Sequence, residues 1–151
     1  MIAALVAVHA LTGRDITRLR LADLDLSAGR LVVRRPGLRH VVHLDPVTHQ
    51  LAADWLRERH RRWWSSADPH LLVSPQSALD PGGPPIAGPR PQEVFGRRGL
   101  VMRDVRQDRI RDEAALTADP VHLIRLFGIS SSTAMRYIAA VHPERTAKPP
   151  R

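Results

Sequence analysis

The chain contains no cysteine, so disulfide staples and thiolate metal sites drop out, and the usage fits a reducing, cytoplasmic setting. Lysine is almost missing as well: of 23 basic residues only Lys148, near the end, is not arginine. Aromatic residues make up 4% of the chain, with one tyrosine, Tyr137. The apolar opening from Met1 to Leu11 has no basic leader or small-residue cleavage motif and is too short to span a bilayer, so it is expected to be a buried helix. A chain that starts inside such a helix, without a preceding cap, reads as if an N-terminal neighbour were missing. Acidic residues are outnumbered, 15 against 23 basic, for a net charge of +8.

That surplus points to a polyanionic partner. The arginine bias has two readings: a guanidinium fork matches phosphate oxygens bidentately, and a GC-rich coding sequence gives the same bias. At 151 residues the chain has room for one ordinary domain with a real core. The eight histidines show no tight ligand spacing, and Gly82-Gly83 lacks the lysine of a phosphate-binding loop, so neither a metal nor a nucleotide is expected.

Punctuation along the chain sets the elements. The first helix is expected to stop near Thr12-Gly13, and a second, capped by Thr12 or Asp15, carries Ile16, Leu19 and Leu21 inward. Residues 24–29 read as a strand end and turn, Arg30 to Arg35 as a strand, Pro36-Gly37 as a turn and Leu38 to Leu44 as a return strand. Asp45-Pro46 opens a helix to about Trp64, with Val47, Leu51, Trp55 and His60 inward; its basic end, Arg57 to Arg62, fits a solvated face that complements the helix dipole. Trp55 reads as core, and Trp63-Trp64 as packing under the following loop. Residues 74–91 hold six of the 13 prolines and are expected to be irregular. Helices follow at about 92–98, 103–116, 120–127 and 131–141, and 143–151 is expected to be a loose tail.

This order of elements, with Leu19-Arg-Leu-Ala-Asp-Leu-Asp25, the basic return strand Arg39 to Leu44, Arg103-Asp-Val-Arg106, Asp119, Leu126-Phe-Gly128 and then Tyr137, resembles the catalytic domain of tyrosine recombinases, the phage integrase family, over nearly the whole chain. The resemblance implies a mainly α domain over 1–142 with a small antiparallel β-sheet and a helix-turn-helix-like C-terminal pair. It implies duplex DNA as partner, allows a homo-oligomer on DNA, and involves no membrane, nucleotide or cofactor. In that chemistry a tyrosine hydroxyl attacks a DNA phosphate, arginines stabilise the transition state, and a lysine and histidine manage protons.

Carried over, Tyr137 falls at the nucleophile position, one residue short, and Arg106 at the second-arginine position. Thr12 stands where the first arginine belongs, with Arg14 as the nearby substitute, and Asp15 replaces a glutamate. Arg103 replaces a histidine, Gln107 the following one, and Ile129 stands where a histidine is expected after the glycine. No lysine lies in the hairpin, leaving Arg34, Arg35 and Arg39 as substitutes, and with Arg136 these are the expected DNA contacts. Arginine stabilises charge but is a poor general acid, so an impaired recombinase is expected. Two alternatives stay open. Residues 123–138 also read as a helix-turn-helix in a non-enzymatic regulator, with Tyr137 a packing residue, and Arg106 also fits a solvated helix face with alternating charges.

Overall fold

The computed structural model describes residues 1–75, 77–79 and 91–145. Helix α1 (Ile2–Ala7) ends earlier than the glycine at position 13 suggested. The chain turns at Ala10, which is left-handed at φ 52°, while the Leu11 N–H returns to the Leu5 carbonyl at 3.0 Å. The Ala10 N–H bonds the Val6 carbonyl at 3.0 Å, the five-to-one bond of a left-handed helix end, made here by an alanine. Helix α2 (Gly13–Arg18) then starts in a reciprocal capping box. Thr12 Oγ1 accepts from the Asp15 N–H at 3.1 Å, and Asp15 Oδ2 accepts from the Thr12 N–H at 3.0 Å. Ile16 and Leu19 are buried as expected.

Strands β1 (Leu24–Asp25), β2 (Arg30–Arg35) and β3 (Leu38–His43) form an antiparallel sheet in that order. Cross-strand partners include Val33 with His40 and Arg34 with Arg39. Strand alternation gives the sheet two unlike faces. Leu31, Val33, His40 and Val42 are buried, whereas Arg30, Arg34, Arg39, Val41 and His43 lie outward.

Helix α3 (Pro46–Arg62) is capped by Asp45, whose Oδ1 accepts from Val47 and Thr48. Its inward face differs from the expected one. Val47 is 64% exposed and His60 is exposed, while Thr48, Ala52 and Arg59 are buried. Arg59 goes inside because its guanidinium satisfies the carbonyls of Asp68 and His70, at 2.7 and 3.3 Å. The rest of the basic helix end is solvated, with Arg61 and Arg62 paired to Glu58. Trp55 is half-buried, bonds the Leu71 carbonyl and meets Trp63 at 6.5 Å, but Trp64 is 78% exposed rather than packed under a loop.

Residues 77–79 form one 3-10 turn; the rest of the proline-rich stretch, apart from residues 74, 75 and 91, and the tail beyond 145 lie outside the described residues. Helices α4 (Pro91–Gly96), α5 (Met102–Thr117), α6 (Pro120–Phe127) and α7 (Ser131–Val141) complete the fold. Asp119 caps α6, Gly128 at φ 61° ends it, and Ser130 caps α7. One apolar core joins α1, α2, the sheet, Leu71, Leu72 and Phe95. A second joins Ala10 to Ile110, Ala114, Leu123, Phe127, Ile129, Ala134 and Ile138.

Candidate nucleic-acid interface

The two cores meet at a polar latch. Arg35, at the end of β2 on its inward face, donates from Nε and a terminal nitrogen to the two oxygens of Asp15 at 3.0 and 2.9 Å. Its other terminal nitrogen donates to the carbonyls of Phe127 and Gly128 at 3.2 and 2.6 Å. Those are end carbonyls of α6, which lack intrahelical partners, so the hairpin caps a helix of the second core. Burial works against the Asp15 charge, but hydrogen bonds from Arg35 and Thr12 outweigh it and hold the carboxyl below its ordinary pKa.

His40, across the hairpin, packs on the same junction. A Cβ on Gly128 would lie 2.7 Å from the His40 ring and 2.9 Å from the Arg35 guanidinium. Burial, followed by the charge of Arg35, lowers the His40 pKa. Its Nε2 has no hydrogen-bond partner among the described residues.

Arg106 lies beside this junction on α5. It is half-buried, its Nε donates to the Ala10 carbonyl at 2.6 Å, and it forms no ion pair with a described residue. Burial lowers its pKa, and Tyr137, Arg35 and Asp15 are the ionisable side chains that act on it. Arg109, one turn on, donates to the Val8 carbonyl, pairs with Glu113 at 2.7 Å and lies over the Phe127 ring. The alternating-charge reading of α5 thus describes Arg109 and Arg111, the latter paired to Asp108, and not Arg106.

Tyr137 is half-buried against the second core and lines a groove of about 280 Å³ with Gln107, Arg111, Arg136 and Ala140. The next residue, Ile138, is 4% exposed and belongs to that core. The structure therefore brings Arg35, Arg106 and Tyr137 to one junction, with Asp15 and His40, and leaves Arg136 exposed at its edge. It does not bring in Arg103, which is 77% exposed and pairs with Asp104 alone among the described residues, or Arg14, which is exposed and has no ion pair with a described residue.

Arg34 and Arg39 lie on the other sheet face. Arg34 pairs with the buried Asp23 at 2.8 Å and lines a second, basic hollow with Arg18, Arg20 and His70. Sequence reading missed Arg18, Arg20, His40 and His70. A readable signal for the first two was their placement just before Asp23, whose carboxylate caps the Arg20 N–H. No group of three or more metal-ligating side chains occurs among the described residues, and no described helix is long and apolar enough to cross a membrane.

No protein-family model and no curated protein matches the sequence. Solved structures do. XerA recombinase superposes at a TM-score of 0.69 over 99% of this chain and 57% of its own, with 16% identity. The chain has a tyrosine-recombinase-like fold. Two structures of the XerH site-specific recombinase bound to difH substrate, one post-cleavage and one pre-cleavage, give TM-scores of 0.69 and 0.68 at 14% identity. This chain covers 96 and 97% of itself against them, and 42 and 44% of theirs. It thus spans about half the length of the recombinases it matches, and the mainly helical recombinase-like architecture with its three-stranded antiparallel sheet agrees with the expectation from sequence.

Proposed function

We propose that this chain is a DNA-binding protein of the site-specific recombinase type whose strand-cleavage chemistry is weak or absent. The observation that carries the reading is the convergence of the hairpin's inward residues, Arg35 and His40, on the α6–α7 junction beside Arg106 and Tyr137. Arg106 serves as the phosphate clamp: half-buried, without a carboxylate partner among the described residues, it keeps donors free for an anion in a setting where a charge-assisted bond is strong. Tyr137 is the nucleophile if cleavage occurs, its oxygen replacing a bridging DNA oxygen at phosphorus while the displaced oxygen takes up a proton.

The impairment follows from what surrounds them. Four of Arg35's five donors are engaged with Asp15, Phe127 and Gly128, which holds it in the latch, and a guanidinium does not give up a proton to a leaving oxygen at any working pH. Arg103 faces solvent, and Ile129 is buried in the core. A missing proton-transfer group typically costs about 10²–10⁴-fold each.

The test is trapping on nicked duplex from the chain's own genomic junction, comparing the parent with Tyr137→Phe on a denaturing gel. The expected result is salt-sensitive duplex binding by both proteins and little or no covalent adduct. A strong adduct that vanishes in the variant would overturn the impairment, and absence of duplex binding at low salt would overturn the DNA reading. A non-enzymatic helix-turn-helix regulator is the second reading, favoured by α7 itself. Its exposed residues include Ser131, Ser132, Met135 and Arg136, while Tyr137 contributes to the core. Site-specific protection centred on α7, unchanged in Tyr137→Phe and without any adduct, would favour it.

A further inference from the structure

The outer face of the sheet carries a second basic cluster, set apart from Arg106 and Tyr137. Arg34 and Arg35 are consecutive on β2, so they point to opposite faces. Arg35 enters the latch, and Arg34 faces a hollow of about 470 Å³ lined by Arg18, Arg20, Arg34 and His70. The hollow is built, not incidental. Leu21 N–H bonds the Pro69 carbonyl at 2.9 Å and Leu71 N–H the Leu19 carbonyl at 2.8 Å, making Arg20 and His70 direct antiparallel partners. They are the non-hydrogen-bonded kind of pair, in which side chains lie closest.

Two buried carboxylates orient the lining side chains from behind. Asp23 holds Arg34 Nε at 2.8 Å and the Arg20 N–H at 3.1 Å. Asp68 meets His70 Nδ1 at 2.7 Å, which leaves Nε2 as the ring atom directed away from it. Arg59 braces the same loop from inside through the Asp68 and His70 carbonyls. The guanidiniums of Arg18 and Arg20 have no ion pair with a described residue, and Arg34 faces Arg39 directly across the sheet. Asp23 already offsets the charge of Arg34, so Arg18 and Arg20 are the cations of the hollow without a carboxylate among the described residues.

We infer that Arg18, Arg20, Arg34 and His70 form a phosphate-ester site on the outer face of the sheet, separate from Arg106 and Tyr137, that takes a backbone phosphate of duplex DNA. The inference rests on the DNA-binding reading above. The lining holds no Phe, Tyr or Trp, and a contact made to phosphate positions the duplex and does not select its sequence. The same chemistry would also take free phosphate, and the experiment separates the two sources.

The His70 ring resonance is followed by NMR in the full chain during titration with inorganic phosphate and, separately, with duplex from the genomic junction. Arg18→Ala/Arg20→Ala is compared with the charge-matched Arg57→Ala/Arg61→Ala, with thermal melts confirming that both fold. Phosphate is expected to move His70 saturably in the parent and the control but not in Arg18→Ala/Arg20→Ala. That variant should bind duplex about tenfold more weakly, equally on unrelated sequences, with the slope of log affinity against log salt reduced by about one. A His70 resonance unmoved by phosphate, or a slope equal to the control's, overturns the site while duplex binding by the parent keeps the DNA reading. Phosphate moving His70 in a parent that binds no duplex at low salt assigns the site to free phosphate and sinks the DNA reading instead.

Discussion

Replacing Arg35 with alanine should destabilise this protein far more than removing any of its solvated arginines. The side chain is 19% exposed and its partner Asp15 7%. Its loss would leave Asp15 with only the Thr12 donors and free the Phe127 and Gly128 carbonyls. Breaking one partner out of a buried charge pair costs roughly 3–5 kcal/mol. With some solvent at Arg35 and Thr12 still bonded to Asp15, about 3 kcal/mol is the working figure. That corresponds to a fall in melting temperature of about 6–12 °C for a domain of this size. Arg35→Lys keeps the charge but cannot span both oxygens and both carbonyls, and should cost about 1–2 kcal/mol. Urea denaturation followed by circular dichroism measures each value, and Asp15→Asn completes a double-mutant cycle. The double variant should lose about 1–2 kcal/mol less than the sum of the singles. An Arg35→Ala protein within about 0.5 kcal/mol of the parent, the usual range for a surface change, would refute the latch. So would strict additivity with Asp15→Asn.

Gly128→Ala places a Cβ 2.7 Å from the His40 ring at a left-handed φ of 61°, and should cost about 2–3 kcal/mol; an unchanged urea midpoint would show that the hairpin withdraws freely from the junction. Ala118 closes α5 at φ 48°, so Ala118→Gly should raise stability by about 0.5–1 kcal/mol in the same assay. His9 and His40 both have lowered pKa values, caused first by burial. With folded values below unfolded ones, the unfolded chain binds more protons between them, so stability should rise with pH through that window and fall as pH drops below about 6.5. His40→Leu should remove part of that acid loss, and a flat stability profile between pH 5 and 7.5 would contradict the burial argument. Asp15 acts lower: its carboxyl pKa is depressed, so its contribution is present above about pH 4 and is lost as pH falls through the folded value. Melts of Asp15→Asn should then be less sensitive to acid in that range.

Where local chemistry decides an element, the sequence was legible. Asp119-Pro120, Gly128 and Ser130 set the limits of α6 and α7, and Pro36-Gly37 set the hairpin. Where a remote partner decides, it was not. The end of α1 falls at a left-handed alanine, which carries no signal of its own. The inward face of α3 includes Arg59, whose burial makes sense only once the carbonyls of residues 68 and 70 lie beside it. Alternation required Arg34 and Arg35 to face opposite ways, but the choice between them depends on Asp15, 20 residues earlier. For Arg106 a signal was present and unread. The residues four away on either side are Met102 and Ile110, and those three away are Arg103 and Arg109, so no carboxylate on its own helix could pair with it.

The cap on α6 bears on how this chain can be divided. The nitrogen that satisfies the Phe127 carbonyl comes from a residue 92 positions upstream. Helices α6 and α7 look like a portable cassette, short and neatly bounded. Grafted elsewhere, the pair would carry an open helix end and a glycine facing nothing. Any rearrangement of the gene that reuses it must bring the hairpin along, so the smallest inheritable unit runs at least from Thr12 to the last helix.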